Sequence, residues 1–490
     1  MASDTLPSDA HPSEAVPLLI NGREVRRSSE GTAEVISPAS ETLLWHFTSV
    51  SKAEAVEAVE AASAAFPTWS KTKATERRDI FLRAATLLEQ RAEEFAQFEA
   101  KETGATEFYS LGFDIPQTIE TLKEVAGKIS SIYGAVPTGF LEGSNALILK
   151  EPYGVILAIA PWNAPYILGV RSIAYALATG NTCILKGSEL SPRCYWAIGD
   201  LFTQAGLPAG CLNVLYHQPS DAAEITSALI QHPAIRKINF TGSTRVGEII
   251  AQTAGKFLKP CLLELGGKAS AIVLEDANIE LAAMQCAQGA FLHSGQICMS
   301  TERILVHHRI FEQFKSALQK AQDNIAPGSE PALVLAMSAG VEKNRRLIAQ
   351  ASSAGAEIIT REKPSSGNGG QDKHRLSPTI VSGVDRTMDI YYEESFGPTV
   401  SLIRVKSEEE AISIANDTEY GLSSAIFSED LRRALNIAKE LESGAVHINS
   451  MTVHDNLVLP HGGVKASGWG RFNAQWGLEE FLKTKTITFH

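Results

Sequence analysis

The chain has no C-x-x-C pair and no cysteine or histidine spacing suited to a metal, although it holds six cysteines, at 183, 194, 211, 261, 286 and 298. That predicts reduced thiols, a cytoplasmic protein and no metal. Long apolar runs are also missing. The longest, Val155 to Ala160, falls far short of the roughly 20 residues that cross a bilayer. No basic cluster offsets the net charge of −12, which argues against a nucleic-acid surface. Residues 1 to 17 lack arginine and are punctuated by Pro7, Pro12 and Pro17, which predicts a disordered tail rather than a signal or transit peptide. The last residues, Ile487 to His490, spell no known address. What is present is ordinary for a globular protein: 490 residues, 44% hydrophobic and 20% charged, enough for two or three domains.

Periodicity gives the architecture. Asn21-Gly22 predicts a hairpin, and helical spacing recurs over 52–66, 76–102 and 115–129. Strands at 154–160, 182–185, 213–216, 235–240 and 261–265 then alternate with helices at 164–178, 192–205, 221–230 and 245–254. Such alternation predicts an α/β fold with right-handed crossovers and a parallel sheet, whose ligands sit at the carboxyl ends of the strands. A second block starts at Ala269, with a helix over 279–294 and a strand from Ile304. Ser365 to Gly370 reads as a glycine-rich surface loop, and Thr484 to His490 as a β arm suited to pairing with another subunit.

Between that helix and strand lies G-Q-I-C-M-S-T-E-R, 295–303. Cys298 on a loop is open to substrate; the alternative is a small buried residue in a connector. Asn163 follows the first parallel strand, Lys186 ends the second, Gly242 and Gly247 join the fourth to its helix, and Glu264 lies in the fifth. Singly they read as a helix cap, a solvated charge, tight turns and a paired acid. Together they set an amide, an amine, a nest of backbone N–H groups and a carboxylate along one rim.

The stretches A-P-W-N (160–163), F-T-G-S-T-R-V-G (240–247), L-E-L-G-G-K (263–268), G-Q-I-C (295–298), E-E-S-F-G-P (393–398) and G-G-V-K-A-S-G-W-G-R (462–471) resemble, in order and spacing, those of aldehyde dehydrogenases. G-Q-I-C-M-S-T-E-R and I-N-F-T-G-S-T-R-V-G are most similar to the aromatic-aldehyde branch, the salicylaldehyde and vanillin dehydrogenases. The resemblance implies two Rossmann-like parallel-sheet domains and a β bridging element. The NAD-binding domain would span 18–128 and 151–260, the catalytic domain 261–455, and the bridging segments 129–150 and 456–490. It implies a homodimer or homotetramer, and a G-S-T-x-x-G turn in place of the missing G-x-G-x-x-G.

It also implies roles. Cys298 is the nucleophile, the Asn163 amide and the Cys298 N–H stabilise the oxyanion, and Glu264 activates the hydrolytic water. Lys186 and Glu189 match the pair on the adenosine ribose, Trp162 and Ser243 lie near the pyrophosphate with Gly242 and Gly247, and Glu394 with Phe396 serves the nicotinamide ribose. A carboxylate at Glu189 favours NAD, with NADP possible. Ala164, Leu168 and Arg171 share a helix face. With Ile297, Met299 and His461 they are the expected substrate channel. Arg171 is there either to meet a substituted aromatic ring or to serve as an ion-pair or interface residue. The expected reaction is oxidation of an aromatic aldehyde to its acid through a thiohemiacetal and a thioester. The alternatives are an aliphatic aldehyde or semialdehyde, or an inactive binding homologue, against which the intact Cys298, Glu264 and Asn163 weigh. Departures from the family are Gly187 for a common Pro, which predicts a looser loop around Glu189; His217-Gln218; Ala336-Met337-Ser338; and His461 for Phe.

Overall fold

The computed structural model describes residues 15–139, 142–325, 333–360 and 373–490. The 365–370 loop and residues 1–14 of the expected tail lie outside them. The tail ends sooner than expected, because Val16 is fully buried and bridges Phe47.

The chain divides into two compact units. The first comprises the residues up to Thr103, Ile115–Ile238 and Lys483–His490; the second comprises Gly104–Asp114 and Asn239–Leu482. In the first, strands Val155–Ile159, Thr182–Lys186 and Leu212–Leu215 run parallel. The hairpin Leu18–Ile20/Arg23–Val25 adds antiparallel at Leu19–Val214, turning at Asn21 and Gly22, both at positive φ. The helix Lys52–Trp69 opens with a capping box, the Ser51 side chain accepting from Glu54 N and Ser51 N donating to Glu54 Oε2.

The helix expected over 76–102 is two helices, Ala74–Gln90 and Ala92–Thr103. The break falls at Arg91, whose guanidinium is held by Glu94 and Asp200. At the end of the second helix the buried Glu102 accepts from Arg193 N, Cys194 N and Trp45 Nε1. It thereby caps the helix Pro192–Gln204, whose own Ser191 makes no side-chain cap. The helix Pro165–Ala178 is buried at every position, as expected of a helix apolar all round. The C-terminal strand Leu482–Phe489 pairs with Asn145–Pro152 in a separate two-stranded sheet.

The second unit is built on a seven-stranded sheet. Its strand order is Glu357–Thr360, Thr379–Ser382, Thr399–Val405, Thr301–His307, Ala269–Val273, Ser423–Phe427, Ala445–Ile448. Every pairing is parallel except the first, which is antiparallel. Alternate residues feed two cores. Ala271, Val273, Ile304 and Val306 join one; Ile272, Leu274 and Leu305 join the other. Burial of both faces explains the near-continuous apolar runs of these strands.

Among the described residues no helix is long and apolar enough to cross a membrane.

Candidate active site

In the second unit the helix before Cys298 ends at Phe291, three residues earlier than periodicity predicted. His293, Ser294 and Gly295 then take left-handed backbone geometry in succession. Two of these are not glycine, so the turn carries strain that packing must offset. The offset is visible. The His293 ring stacks on Tyr109, centroids 4.2 Å apart and planes at 11°. Gln296 reaches back with Nε2 to His293 O, and its Oε1 accepts from Ala336 N at 2.9 Å. Ser300 Oγ donates to Gly295 O, and Thr452 Oγ1 to Met299 O. The loop that presents the thiol is therefore pinned on both sides.

Cys298 is half-buried, while its neighbours Ile297 and Met299 are each 7% exposed. Those two pack with Ala105, Tyr109, Leu422 and Val453, and Phe113, Leu292 and Met451 lean on the same cluster. Tyr109 and Phe113 stack, 5.6 Å apart at 28°. Neither was singled out in the sequence. Their i, i+4 spacing in E-F-Y-S-L-G-F was the available signal; the π-helical turn Ser110–Asp114 that presents Phe113 was not legible.

Glu264 ends the strand Cys261–Glu264 and is 1% exposed. Its Oε1 lies 3.8 Å from Cys298 Sγ and 3.0 Å from His461 Nε2. The reading of Glu264 as a paired acid thus holds, and its partner is the residue that departs from the family's Phe.

The loop carrying Glu394 and Phe396 rests on a buried ion pair. Lys268 Nζ donates to Glu302 Oε2 at 2.6 Å and to Glu393 O. Glu302 Oε1 accepts from Ser395 N, Ser395 Oγ and Phe396 N. Glu394 accepts from Gly267 N at 2.8 Å, and burial pushes its carboxyl up to about 7. Lys268 lies in L-E-L-G-G-K and Glu302 in G-Q-I-C-M-S-T-E-R, and neither motif by itself reports that the two side chains meet. Burial lowers the Lys268 ammonium, and the Glu302 carboxylate opposes this.

Gly242 leads into the helix Thr244–Lys256, and the Ser243 side chain makes no capping bond there. Val246 N donates to Ser243 O, so the side-chain acceptor missing from this turn concerns the amides of Thr244 and Arg245, as at anion-binding helix starts. Gly247, inside that first helical stretch, packs on the Leu265 side chain, where a β-carbon would stand 2.5 Å away. In this unit Cys298, Gly267 and Glu394 all precede strands, so they gather at the amino end of the seven-stranded sheet. Gly242 and Glu264 close their own strands, as the ligand rule for open sheets anticipates.

In the first unit Lys186 ends its strand and the Glu189 carboxylate follows. Burial lowers the Lys186 ammonium while Glu189 pulls it upward. His217, 2% exposed, is pushed down to about 4 by burial and then by Lys186, so its ring is neutral at physiological pH. The loop around Glu189 is not loose. Gly187 N donates to Leu215 O and Leu190 N to Ser188 Oγ. Gly187 gives way to the Tyr195 ring, which a β-carbon would meet at 2.3 Å, and Tyr195 Oη donates to Pro161 O.

Asn163 is 4% exposed and stands one residue before Ala164, the N-cap of the following helix. Trp162 is half-buried. Ala164, Leu168 and Arg171 are 7%, 6% and 3% exposed. Among the described residues no group of three His, Cys, Asp or Glu is arranged for a metal.

The sequence matches the Aldehyde dehydrogenase family over residues 25–487. It is 42% identical to a vanillin dehydrogenase of Pseudomonas fluorescens over 480 residues, 96% of this chain and 97% of that one. It is 39% identical to a salicylaldehyde dehydrogenase of Pseudomonas putida over 481 residues, again 96% and 97%. The fold is similar to the crystal structure of a salicylaldehyde dehydrogenase from Pseudomonas putida G7 complexed with salicylaldehyde. The TM-score is 0.91 at 38% identity, covering 96% of this chain and 97% of that one. The chain belongs to the aldehyde dehydrogenase family and is an NAD(P)-dependent oxidoreductase.

Proposed function

We propose that this enzyme oxidises aromatic aldehydes, of the salicylaldehyde, vanillin or benzaldehyde type, to their acids with Cys298 as nucleophile. The observation that carries the reading is the Cys298 thiol 3.8 Å from the Glu264 carboxylate, on a loop whose flanking residues pack against the Tyr109–Phe113 stack. A free aldehyde is a poor hydride donor. Attack by the Cys298 thiolate on the carbonyl carbon gives a tetrahedral thiohemiacetal, from which hydride departs readily. The Asn163 amide and the Cys298 N–H are assigned to the oxyanion. Collapse leaves a thioester, and Glu264 takes a proton from the water that hydrolyses it.

The residues fit a nicotinamide dinucleotide, which accepts the hydride when bound. The uncapped start of helix Thr244–Lys256 offers amides for a pyrophosphate, with Gly242, Ser243, Gly247 and Trp162 assigned there. Lys186 and Glu189 are assigned to the adenosine ribose, and Glu394 with Phe396 to the nicotinamide ribose. The Glu189 carboxylate accepts from a 2′-hydroxyl and repels a 2′-phosphate, so NAD is preferred.

The ribbon of Asn145–Pro152 and Leu482–Phe489, with Ile487 and Phe489 exposed, supports a homodimer or homotetramer. Six free cysteines support a cytoplasmic site.

The test is a panel of salicylaldehyde, vanillin, benzaldehyde and hexanal with NAD and NADP, read by absorbance of the reduced cofactor. It is run for the parent and Cys298→Ala. The reading expects aromatic preference, NAD preference and no turnover in the variant. Substantial turnover by Cys298→Ala removes the thiol from the mechanism, and a preference for hexanal removes the substrate class.

A further inference from the structure

Oxidation of an aldehyde by NAD⁺ and water yields a carboxylate, NADH and two protons. Glu264, if it is the base, must accept protons and then lose them, yet it is 1% exposed. The structure shows what it can hand them to. His461 Nε2 lies 3.0 Å from Glu264 Oε1, and His461 Nδ1 lies 3.6 Å from Asp455 Oδ1. Both side chains are buried, at 7% and 6%.

The ring is fixed from behind as well. The His461 backbone exchanges hydrogen bonds with Phe472 in both directions. Asn473, fully buried and at a φ of 70°, turns its Nδ2 onto Asp455 Oδ1 at 2.7 Å. A residue that merely filled space would not need an acid on each ring nitrogen and an amide holding the outer acid.

We propose that His461, oriented by Asp455, is the positioning and proton-relay residue for Glu264; this rests on the reading of Glu264 as the hydrolytic base. Step by step, the water oxygen bonds to the acyl carbon and its proton goes to Glu264 Oε1. The C–S bond breaks and its electron pair returns to Cys298 Sγ. The neutral ring carries its proton on Nδ1, on the Asp455 side, so Nε2 is open to accept. The proton moves from Oε1 to His461 Nε2, and the imidazolium so formed faces the Asp455 carboxylate, which stabilises the charge. It is released to solvent once the product leaves, and Glu264 is again a carboxylate for the next cycle.

The other titratable groups near the ring are consistent with this. His447, on the strand Ala445–Ile448, is pushed down to about 4 by burial first and then by His454 and His461, so it stays neutral and does not compete for the proton. Its ring lies 4.6 Å from that of the exposed His454. Arg471 turns its guanidinium onto the carbonyls of Gly463 and Gly470. Its backbone N–H donates to the Glu480 carboxylate.

The experiment uses the full chain and four variants, His461→Phe, His461→Gln, Asp455→Asn and Glu264→Gln. The readouts are the pre-steady-state NADH burst, aldehyde KM and kcat from pH 5 to 10. His461→Phe is expected to keep the burst and the KM while steady-state kcat falls roughly 10- to 100-fold, below the full contribution of a general base. The kcat–pH profile of His461→Phe is expected to differ in shape from the parent's. His461→Gln can hydrogen-bond Glu264 but cannot take up its proton, so it should keep the burst and show the same low kcat as His461→Phe. Asp455→Asn should fall between this and the parent.

Parent kcat at every pH in His461→Phe overturns the proposal. So does a His461→Gln variant with parent kcat and pH profile, since holding Glu264 would then suffice. A lost burst with a large rise in aldehyde KM also overturns it and makes His461 a wall of the substrate site. Full steady-state turnover in Glu264→Gln would instead sink the base reading itself, and the relay with it.

Discussion

The carbonyl oxygen of Cys298 lies against the backbone of Gly267 so closely that a β-carbon there would stand 2.3 Å from it. The second glycine of L-E-L-G-G is therefore what lets the thiol loop settle, and the same residue's N–H holds Glu394. Gly267→Ala should shift the Cys298 loop. A displacement on the order of 1 Å at a reacting atom can cost about 10²-fold in rate. The expected result is a fall of that order in kcat/KM, and slower alkylation of Cys298 by iodoacetamide. Parent alkylation and turnover would mean that the loop does not depend on this contact.

With Glu264 as the proposed hydrolytic base, Glu264→Gln should separate the two halves of the reaction. Hydride transfer needs the thiolate and deacylation needs the base, so the variant should give one burst of NADH per site and then stall. The steady-state loss should be roughly 10²- to 10⁴-fold. Stopped-flow absorbance measures both. A variant with neither burst nor turnover would place Glu264 in activating Cys298, which the 3.8 Å contact also allows.

Cofactor affinity should follow the charge of Glu394. Its carboxyl is pushed up to about 7, chiefly by burial, and only the ionised form accepts from two ribose hydroxyls. As pH rises through about 7 the carboxylate forms, so KM for NAD should fall between pH 6 and 8. The linkage to stability has the opposite sign. A carboxyl raised above its unfolded value is protonated in the native state, so its contribution is present below the unfolded value. It is lost as pH rises through about 7. Glu394→Gln should therefore show a flat KM over that range, and its melting temperature should drop less than the parent's from pH 5 to pH 8. A parent KM that does not change with pH rejects the assignment.

Much of this was legible before the structure. Alternation of short strands and helices placed Asn163, Lys186 and Gly242 at the carboxyl ends of strands, because a parallel sheet leaves few other arrangements. The Cys298 loop was legible as a loop, but not its three left-handed residues, since His293 and Ser294 have no intrinsic preference for that geometry and take it under packing. Arg171 shows where periodicity stops helping. A face can be selected only where another face is exposed, and the helix Pro165–Ala178 is buried throughout. The His461–Glu264 bond joins residues 197 apart in sequence, a separation no local pattern reports.

Substrate class should depend on Phe113 rather than on Tyr109. Both belong to the stack beside Cys298, but they differ in exposure. Tyr109 is 1% exposed and stacks with both Phe113 and His293, and so acts as a support. Phe113 is half-buried and leans on the cluster that contains Ile297, Met299 and Cys298. It is taken as the ring whose face a substrate ring would share. A stacked aromatic pair contributes about 0.5–1.5 kcal/mol beyond its buried area, or roughly 2- to 10-fold. Phe113→Leu keeps apolar bulk and removes only the ring face. It should lower kcat/KM for salicylaldehyde and benzaldehyde by that factor and leave hexanal nearly unchanged. Tyr109→Leu removes the support of a strained turn, so it should depress all three substrates together and lower the melting temperature. The comparison with Arg171→Ala then decides between the two sequence readings of that residue. A loss confined to salicylaldehyde would set Arg171 beside the substituted ring, whereas a uniform loss with reduced stability would make it a buried structural cation. If Phe113→Leu weakens hexanal as much as benzaldehyde, the stack is only a wall, and aromatic preference must come from elsewhere in the site.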